Sequence, residues 1–110
     1  MKHMKKFVAL ALVLVSILAI AGSAMAAAPY ETRYSNVELY TNTPAGYSWA
    51  IRNLQRDLNI YDSNNHLKVD GYFGQKTKAA VMRFQQGQGL NADGRVGSLT
   101  KQALWTYFGY

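Results

Sequence analysis

Two aspartates, Asp70 and Asp93, stand in similar surroundings 23 residues apart and are the first candidates for chemistry. Each opens a segment of the form Asp-Gly-x-apolar-Gly. Glycoside hydrolysis uses two carboxyl groups, but it needs environments that push their pKa values apart. Two copies of one motif provide matching environments, and each aspartate can instead accept backbone N–H bonds within a turn. We therefore predict a structural role for both aspartates and no enzymatic activity.

Other catalytic or metal-binding arrangements find little support. His66 lies in a polar loop, and zinc needs three or four convergent ligands in a chain that has no cysteine. The same loop begins like a calcium-binding loop, but Leu67 replaces the required glycine and Phe73 replaces the bidentate glutamate. Nothing resembles the nucleophile elbow of a serine hydrolase. We predict no metal and no cofactor.

The Asp-Gly segments belong to a thirteen-residue pattern that occurs twice, at residues 69–81 and 92–104. Six positions are identical, which predicts one small turn–helix unit used twice. The glycine after each aspartate suits a positive φ, and the apolar residue should pack beneath the turn. The residues expected to maintain this structure are Asp70, Gly71, Phe73, Gly74 and Thr77, and then Asp93, Gly94, Val96, Gly97 and Thr100.

Residues 1–26 have the layout of a secretory signal peptide. Three lysines precede the apolar run Phe7–Ala21, and small residues occupy the cleavage region. We predict cleavage after Ala26, with Ala28 as the second choice. The alternative is an uncleaved membrane anchor, because residues 7–28 are long enough to span a bilayer. The protein is thus expected to be secreted, and to meet a membrane only if this segment is uncleaved.

The charge of residues 27–110 suits an anionic surface. They hold nine Lys and Arg against six Asp and Glu, a net charge of +3, since three of the twelve basic residues lie in the leader. A mildly basic exported domain fits cell-wall polymers or acidic peptides, although a merely soluble surface has the same balance. No basic run with interleaved aromatics is present, and nucleic acid is therefore not an expected partner.

Residues 27–47 form a tyrosine-rich arm in which Asn42, Pro44 and Gly46 disfavour a helix. Its segment 37–40 suits a short strand or a stretch lying across the domain. Its four tyrosines either grip sugar rings or pack against the core, and packing or disorder is the preferred interpretation.

Residues 48–110 are predicted to form the domain. Ile51, Leu54 and Leu58 define the buried face of a first helix that begins near Ser48, while Asp57 points elsewhere. Further helices are expected at about 75–86 and 98–107, the last with an apolar face of Leu99, Ala103, Leu104 and Tyr107. These stripes can only cover one another, which predicts an all-α, compact three-helix bundle built from two related turn–helix repeats.

A further echo joins the helices to the turns, because Leu54-Gln55 in the first helix matches Phe84-Gln85 in the second. With the repeated DGxFGxxT pattern, the chain resembles the peptidoglycan-binding module found in bacterial cell-wall hydrolases and amidases. The resemblance covers residues 48–108 and implies a three-helix module that holds peptidoglycan without cutting it. Family members usually have proline where Gln75 and Ser98 stand here. In the family such modules accompany a catalytic domain, for which this chain has no room, so it acts alone or recruits a cell-wall hydrolase.

Four residues are candidates for ligand contact under this resemblance. Tyr72 and Arg95, the variable turn positions, should face solvent, where Tyr72 could stack on a sugar or peptide and Arg95 could pair with a stem-peptide carboxylate. Gln55 and Gln85 could donate to a ligand amide, or else hydrogen-bond the neighbouring turn. Whether glycan or stem peptide is held stays open. The alternative function is an exported protein–protein interaction module that docks a hydrolase or coat protein through its aromatic residues. A monomer is expected in either case.

Overall fold

The computed structural model describes residues 27–110, so the predicted signal peptide, residues 1–26, lies outside the described residues. These residues form the helices α1 (Glu31–Tyr34), α2 (Ser48–Tyr61), α3 (Gln75–Gly87) and α4 (Ser98–Phe108), with a 3-10 turn at Ser63–Asn65. Over this range no strand is present, and extended backbone pairs only at an isolated antiparallel bridge between Leu39 and Val96. None of the helices in residues 27–110 has the length and apolar character needed to cross a bilayer.

The three longer helices bury one stripe each, as their sequence periodicity predicts. In α2, Leu54 and Leu58 are fully buried, and in α3 the same holds for Phe84. Fully burying a side chain of this size contributes about 1.5–3 kcal/mol. In α4 the expected stripe is wrong at one position, because Leu99 is 47% exposed, and Thr100 is buried in its place.

Aromatic rings near the C-terminal ends of the three longer helices pack against one another. The Tyr61 ring of α2 meets Phe84 of α3 at 4.9 Å and Tyr107 of α4 at 5.1 Å between centroids. Both contacts are edge-to-face, the geometry in which the positive edge of one ring meets the negative face of another. One ring from α2 therefore packs against both later helices.

Residues 27–47, hereafter the N-terminal segment, pack against the helices. Tyr30, Tyr34 and Leu39 are buried in the same core as the helical stripes. The preferred interpretation of the arm tyrosines as packing residues agrees with the burial of Tyr30 and Tyr34. The expectation that the arm contains no helix is wrong, because Glu31–Tyr34 form α1. The proline and glycine that disfavour a helix lie farther along, after this single turn.

Candidate functional site

The first turn is built around the buried side chain of Gln55 from α2, which is 1% exposed. Its amide nitrogen donates to the Tyr72 carbonyl at 2.9 Å. The same nitrogen donates to Asp70 Oδ1 and to Thr77 Oγ1, each at 3.2 Å. Its carbonyl oxygen accepts the backbone N–H groups of Asp70 and Gly71 at 3.1 and 3.0 Å. One glutamine thus fixes both ends of the Asp-Gly turn and also bonds to a residue near the start of α3.

The second turn repeats this arrangement around Gln85 of α3. The Gln85 amide nitrogen donates to the Arg95 carbonyl at 2.9 Å. It also donates to Asp93 Oδ1 at 3.1 Å and to Thr100 Oγ1 at 3.0 Å. Its carbonyl oxygen accepts the N–H of Gly94 at 3.0 Å. For both glutamines the structure has the turn-directed bonds that the sequence left as an alternative to ligand contact, and a ligand amide would have to displace them.

The two aspartates act as acceptors inside their turns. Asp70 Oδ1 accepts the N–H of Tyr72 at 2.9 Å, and Asp93 Oδ1 accepts the N–H of Arg95 at 2.9 Å. The hydrogen bonds from the Tyr72 backbone and from Gln55 hold the pKa of Asp70 below its ordinary value. Such bonds favour the ionised carboxylate, whereas a general acid needs its pKa raised.

The variable residues of the turns, Tyr72 and Arg95, differ in their surroundings. Tyr72 is 72% exposed and is the most exposed large hydrophobic residue of the described chain. Arg95 is also at the surface, but its guanidinium forms an ion pair with Glu38. The same guanidinium lies 4.2 Å from the centroid of the Tyr40 ring. Both contacts come from the N-terminal segment, and sequence spacing gave no sign of either.

A shallow groove lies beside each turn. The first groove, of about 260 Å³, is lined by Tyr72 together with Lys68, Asp70 and Lys76. Its charged lining residues are therefore two lysines and one aspartate. The second groove, of about 300 Å³, is lined by residues that include Glu38, Asp93 and Arg95. The first groove thus has a net positive lining and the second a net negative one, and the first is the better match for an anionic ligand.

Asp57, on the other side of α2, is the largest departure from the sequence prediction. It was expected to point away from the core, but it is fully buried. Arg33 donates to both carboxylate oxygens of Asp57 at 2.8 Å, and the hydroxyl groups of Tyr34 and Tyr110 also donate to this carboxylate. Burial and this hydrogen bond raise the pKa of Tyr110 to about 12, and the pKa of Tyr34 is raised too, first by burial. A buried carboxylate with these partners joins the N-terminal segment, α2 and the last residue.

Lys101 of α4 is a second buried polar group, and no role was predicted for it from the sequence. It is 3% exposed, and its ammonium donates to the backbone carbonyls of Ser35, at 3.0 Å, and of Val37. Burial lowers the pKa of Lys101 to about 8, against the opposing effect of Glu31 and Glu38. Lys101 therefore attaches the N-terminal segment to α4.

Residues 27–110 contain no group of three or more His, Asp or Glu side chains close enough together to hold a metal ion. His66 is exposed and has a left-handed backbone at φ 47°, at the end of the 3-10 turn. The polar groups that the fold does bring together are those of the two turns, of Asp57 and of Lys101.

Four helices around one core, with two glutamine-braced turns on the surface, define a small all-α module. Residues 49–104 match the model of the peptidoglycan binding domain family, and the chain belongs to that family. The N-terminal segment lies before the matched residues. No solved structure gives a significant match.

The similar curated proteins come from bacteria. A zinc D-Ala-D-Ala carboxypeptidase of Streptomyces albus G is 44% identical over 57 residues, which are 51% of this chain and 22% of that protein. An N-acetylmuramoyl-L-alanine amidase of Bacillus licheniformis is 58% identical over 38 residues, 34% of this chain and 11% of the amidase. An uncharacterized protein of Kitasatospora aureofaciens is 51% identical over 53 residues, 46% of this chain and 43% of that protein. The chain thus spans less than half the length of each of these relatives.

Proposed function

We propose that this protein is exported and binds cell-wall peptidoglycan, without cutting it, as a module that acts alone. The observation that carries the proposal is the family match over residues 49–104, which include both glutamine-braced turns. The names of two relatives, a D-Ala-D-Ala carboxypeptidase and a muramoyl-alanine amidase, support a cell-wall ligand. The hydrogen bonds that Asp70 accepts within its turn favour its ionised form and agree with a structural role for this carboxylate.

Within this proposal the first turn carries most of the ligand contact. Tyr72 offers an exposed ring, and Lys68 and Lys76 in the same groove can pair with stem-peptide carboxylates. Arg95 can do so only in competition with Glu38, which already holds its guanidinium. Gln55 acts as a positioning residue, because its polar atoms are already bonded within the turn.

The repeat interpretation belongs to the same proposal. The two motifs are two copies of a turn–helix unit, each braced by a glutamine from the preceding helix. With α2 they form a three-helix bundle over residues 48–110, to which the N-terminal segment adds its packing. The proposed export includes cleavage of residues 1–26 as a signal peptide. N-terminal sequencing of protein recovered from the culture medium should therefore give a sequence that begins at Ala27.

Co-sedimentation with purified sacculi, stripped of proteins and teichoic acids, tests the proposed function. The purified protein should pellet with the sacculi at moderate salt, and soluble muropeptides should release it. The Tyr72→Ala variant should pellet several-fold less, because it loses the exposed ring of the first groove. Trp49→Ala is the matched control, since it removes another exposed aromatic side chain from outside the linings described above.

The opposite outcome would point to the protein–protein alternative. If the folded protein stays in the supernatant with sacculi of its own and of other bacteria, peptidoglycan binding is excluded. A protein partner would be identified instead by two results together. The protein would bind to unstripped sacculi without being released by soluble muropeptides, and it would no longer bind once the sacculi are stripped of protein.

A further inference from the structure

A third groove lies between the N-terminal segment and the first turn, on the other side of Tyr72 from the first groove. One wall consists of residues from the segment 40–48, and the other includes Gly71, Tyr72 and Phe73. Its volume is about 200 Å³. None of its lining residues carries a charge, and we call it the neutral groove.

The absence of charge separates the neutral groove from the other two. The first groove contains Lys68, Asp70 and Lys76, and the second contains Glu38, Asp93 and Arg95. A stem peptide carries carboxylates, which the net positive lining of the first groove attracts. A glycan of N-acetylated amino sugars is uncharged along its sugar rings, and it needs hydroxyl and backbone partners together with apolar faces. The neutral groove offers threonine and serine hydroxyl groups beside tyrosine rings.

The two tyrosine rings that line the neutral groove each lie against another residue of the fold. A Cβ atom added at Gly74 would lie 2.9 Å from Cε2 of Tyr72, which means that the ring lies directly over this glycine. The Tyr40 ring has the Arg95 guanidinium 4.2 Å from its centroid. The Tyr40 backbone N–H donates to Thr43 Oγ1 at 2.7 Å, and the Thr43 hydroxyl donates to the Tyr40 carbonyl at 2.7 Å. Rings that are ordered before binding lower the entropy cost of holding a ligand.

We propose that the neutral groove binds the glycan strand of peptidoglycan, with the sugar rings against Tyr40 and Tyr72 and the stem peptides directed away from it. The proposal rests on the proposed function and specifies which part of that polymer this surface takes. Tyrosine suits the role because its ring packs on the apolar face of a sugar while its hydroxyl stays in water. One wall of the groove lies before the matched residues 49–104, outside the part of the chain that the family model covers.

The decisive variant places a charge in the neutral groove without touching the other two. Ala45 is exposed and lines only this groove among the three. The probe is a peptide-free glycan strand, prepared from sacculi with an amidase and then amidated at the lactyl carboxylates that this hydrolysis leaves, so that it is uncharged. In calorimetric titrations with these strands, Ala45→Asp should weaken binding at least about fivefold. Gln86→Glu, which adds the same charge at an exposed site on α3, should leave the affinity unchanged.

A second pair of variants tests the position of Tyr72 while keeping its chemistry. Gly74 has an extended backbone that accepts alanine, so Gly74→Ala should displace the Tyr72 ring and weaken glycan binding several-fold. Gly97→Ala is the control at the equivalent place in the second turn. There an added Cβ would meet only Glu38 Oε2, at 3.7 Å, and binding should not change.

The outcomes separate this inference from the proposed function. If the wild-type protein pellets with sacculi but does not bind peptide-free strands, the glycan site is wrong and peptidoglycan binding through the stem peptides stands. If it binds the strands but Ala45→Asp binds them as tightly as the wild type, the neutral groove is again the wrong site. If it neither pellets with sacculi nor binds glycan strands, both proposals fail.

Discussion

The first and second turns share one set of hydrogen bonds and differ in what the rest of the chain does with them. In the first turn the variable side chain, Tyr72, is 72% exposed between two grooves. In the second turn the equivalent side chain, Arg95, is held by Glu38 and Tyr40. The second turn is also paired through Val96 with the N-terminal segment, whereas the described structure gives the first turn no such bridge. The same turn can thus expose its variable side chain to solvent or anchor a neighbouring segment.

The equivalent lysines of the two repeats show the same difference. Lys78 and Lys101 are identical positions of the pattern, yet Lys78 is half-buried on the surface and Lys101 is 3% exposed. The aliphatic stem of Lys78 lies against Gly94. The ammonium of Lys101 donates to the carbonyls of Ser35 and Val37. Contact with the N-terminal segment therefore gives the lysine of the second repeat a structural role, whereas the equivalent lysine of the first repeat stays at the surface.

Replacing the bracing glutamines should produce the largest effects and shows how far the two turns are equivalent. Gln55→Leu leaves three backbone groups and Gln85→Leu leaves two without their present partner, and a group that stays buried and unpaired costs about 1–3 kcal/mol. We expect each to lower the free energy of unfolding by at least about 3 kcal/mol. Gln55→Leu should cost more, because its carbonyl accepts two N–H groups where that of Gln85 accepts one.

Urea unfolding followed by circular dichroism measures these changes. Gln86→Leu, an exposed glutamine in α3, should change the free energy of unfolding by no more than about 0.5 kcal/mol. Losses below about 1 kcal/mol for both bracing glutamines would contradict the role that we assign to them.

Alanine at the turn glycines should distinguish the turns by what surrounds them. Gly71 and Gly94 both have a positive φ, 78° and 74°, which costs alanine about 1–2 kcal/mol. At Gly71 the added Cβ would also lie 3.0 Å from the backbone oxygen of Ser48, whereas at Gly94 it meets only the flexible side chain of Lys78. Thermal unfolding should therefore show that Gly71→Ala lowers the free energy of unfolding by about 3 kcal/mol, which is more than Gly94→Ala lowers it. Equal losses would mean that α2 yields readily at Ser48.

Raising the pH should stabilise the protein through Lys101. Its pKa in the folded state is about 8, against an ordinary value of 10.5, so between these values the unfolded chain binds more protons. The free energy of unfolding therefore rises with pH over this range, by about 1–2 kcal/mol from about pH 7 to about pH 9.5. Urea titrations across this range should show the rise in the wild type.

The matched variant is Lys101→Met, which keeps the length of the side chain and removes the titrating group. The slope should be absent in Lys101→Met and unchanged in Lys78→Met, the equivalent position of the first repeat. If the free energy of unfolding still rises with pH in Lys101→Met, another titrating group is responsible for the rise. Above about pH 10 the raised pKa values of Tyr34 and Tyr110 oppose the effect, because tyrosines of the unfolded chain then ionise first.

Truncating the variable residues should have the smallest effect on stability. Tyr72→Ala removes an exposed ring and should change the free energy of unfolding by no more than about 0.5 kcal/mol. Arg95→Ala loses a surface ion pair and a ring contact, so it should lower the free energy of unfolding more than Tyr72→Ala does, and this loss should shrink in high salt. If Tyr72→Ala lowers the free energy of unfolding more than Arg95→Ala does, the comparison that we draw between the two turns is wrong.

Local signals made much of this fold predictable. Glycines and an apolar period locate α3 and α4 to within a residue, because these helices begin directly after the repeated turns. The repeat also held an unused signal at Leu99, which is equivalent to the exposed Lys76 and is itself exposed. An apolar residue at a position where the other copy has a charge is a poor candidate for the core.

The buried polar groups could not be predicted, because their partners are distant in sequence. Asp57 and Arg33 are 24 residues apart, and Lys101 and Ser35 are 66 apart. Nothing local to α2 or α4 distinguishes these two charged residues from solvated neighbours such as Arg56. The same holds for the neutral groove, which exists only because the N-terminal segment crosses the first turn.

The Asp57 cluster has a mechanical consequence. Arg33 and Tyr110 both bond to this carboxylate, and the Arg33 guanidinium lies 4.2 Å from the centroid of the Tyr110 ring. A pulling force applied between the N-terminal segment and Tyr110 would therefore load this cluster first, before it reached the turns or the grooves beside them.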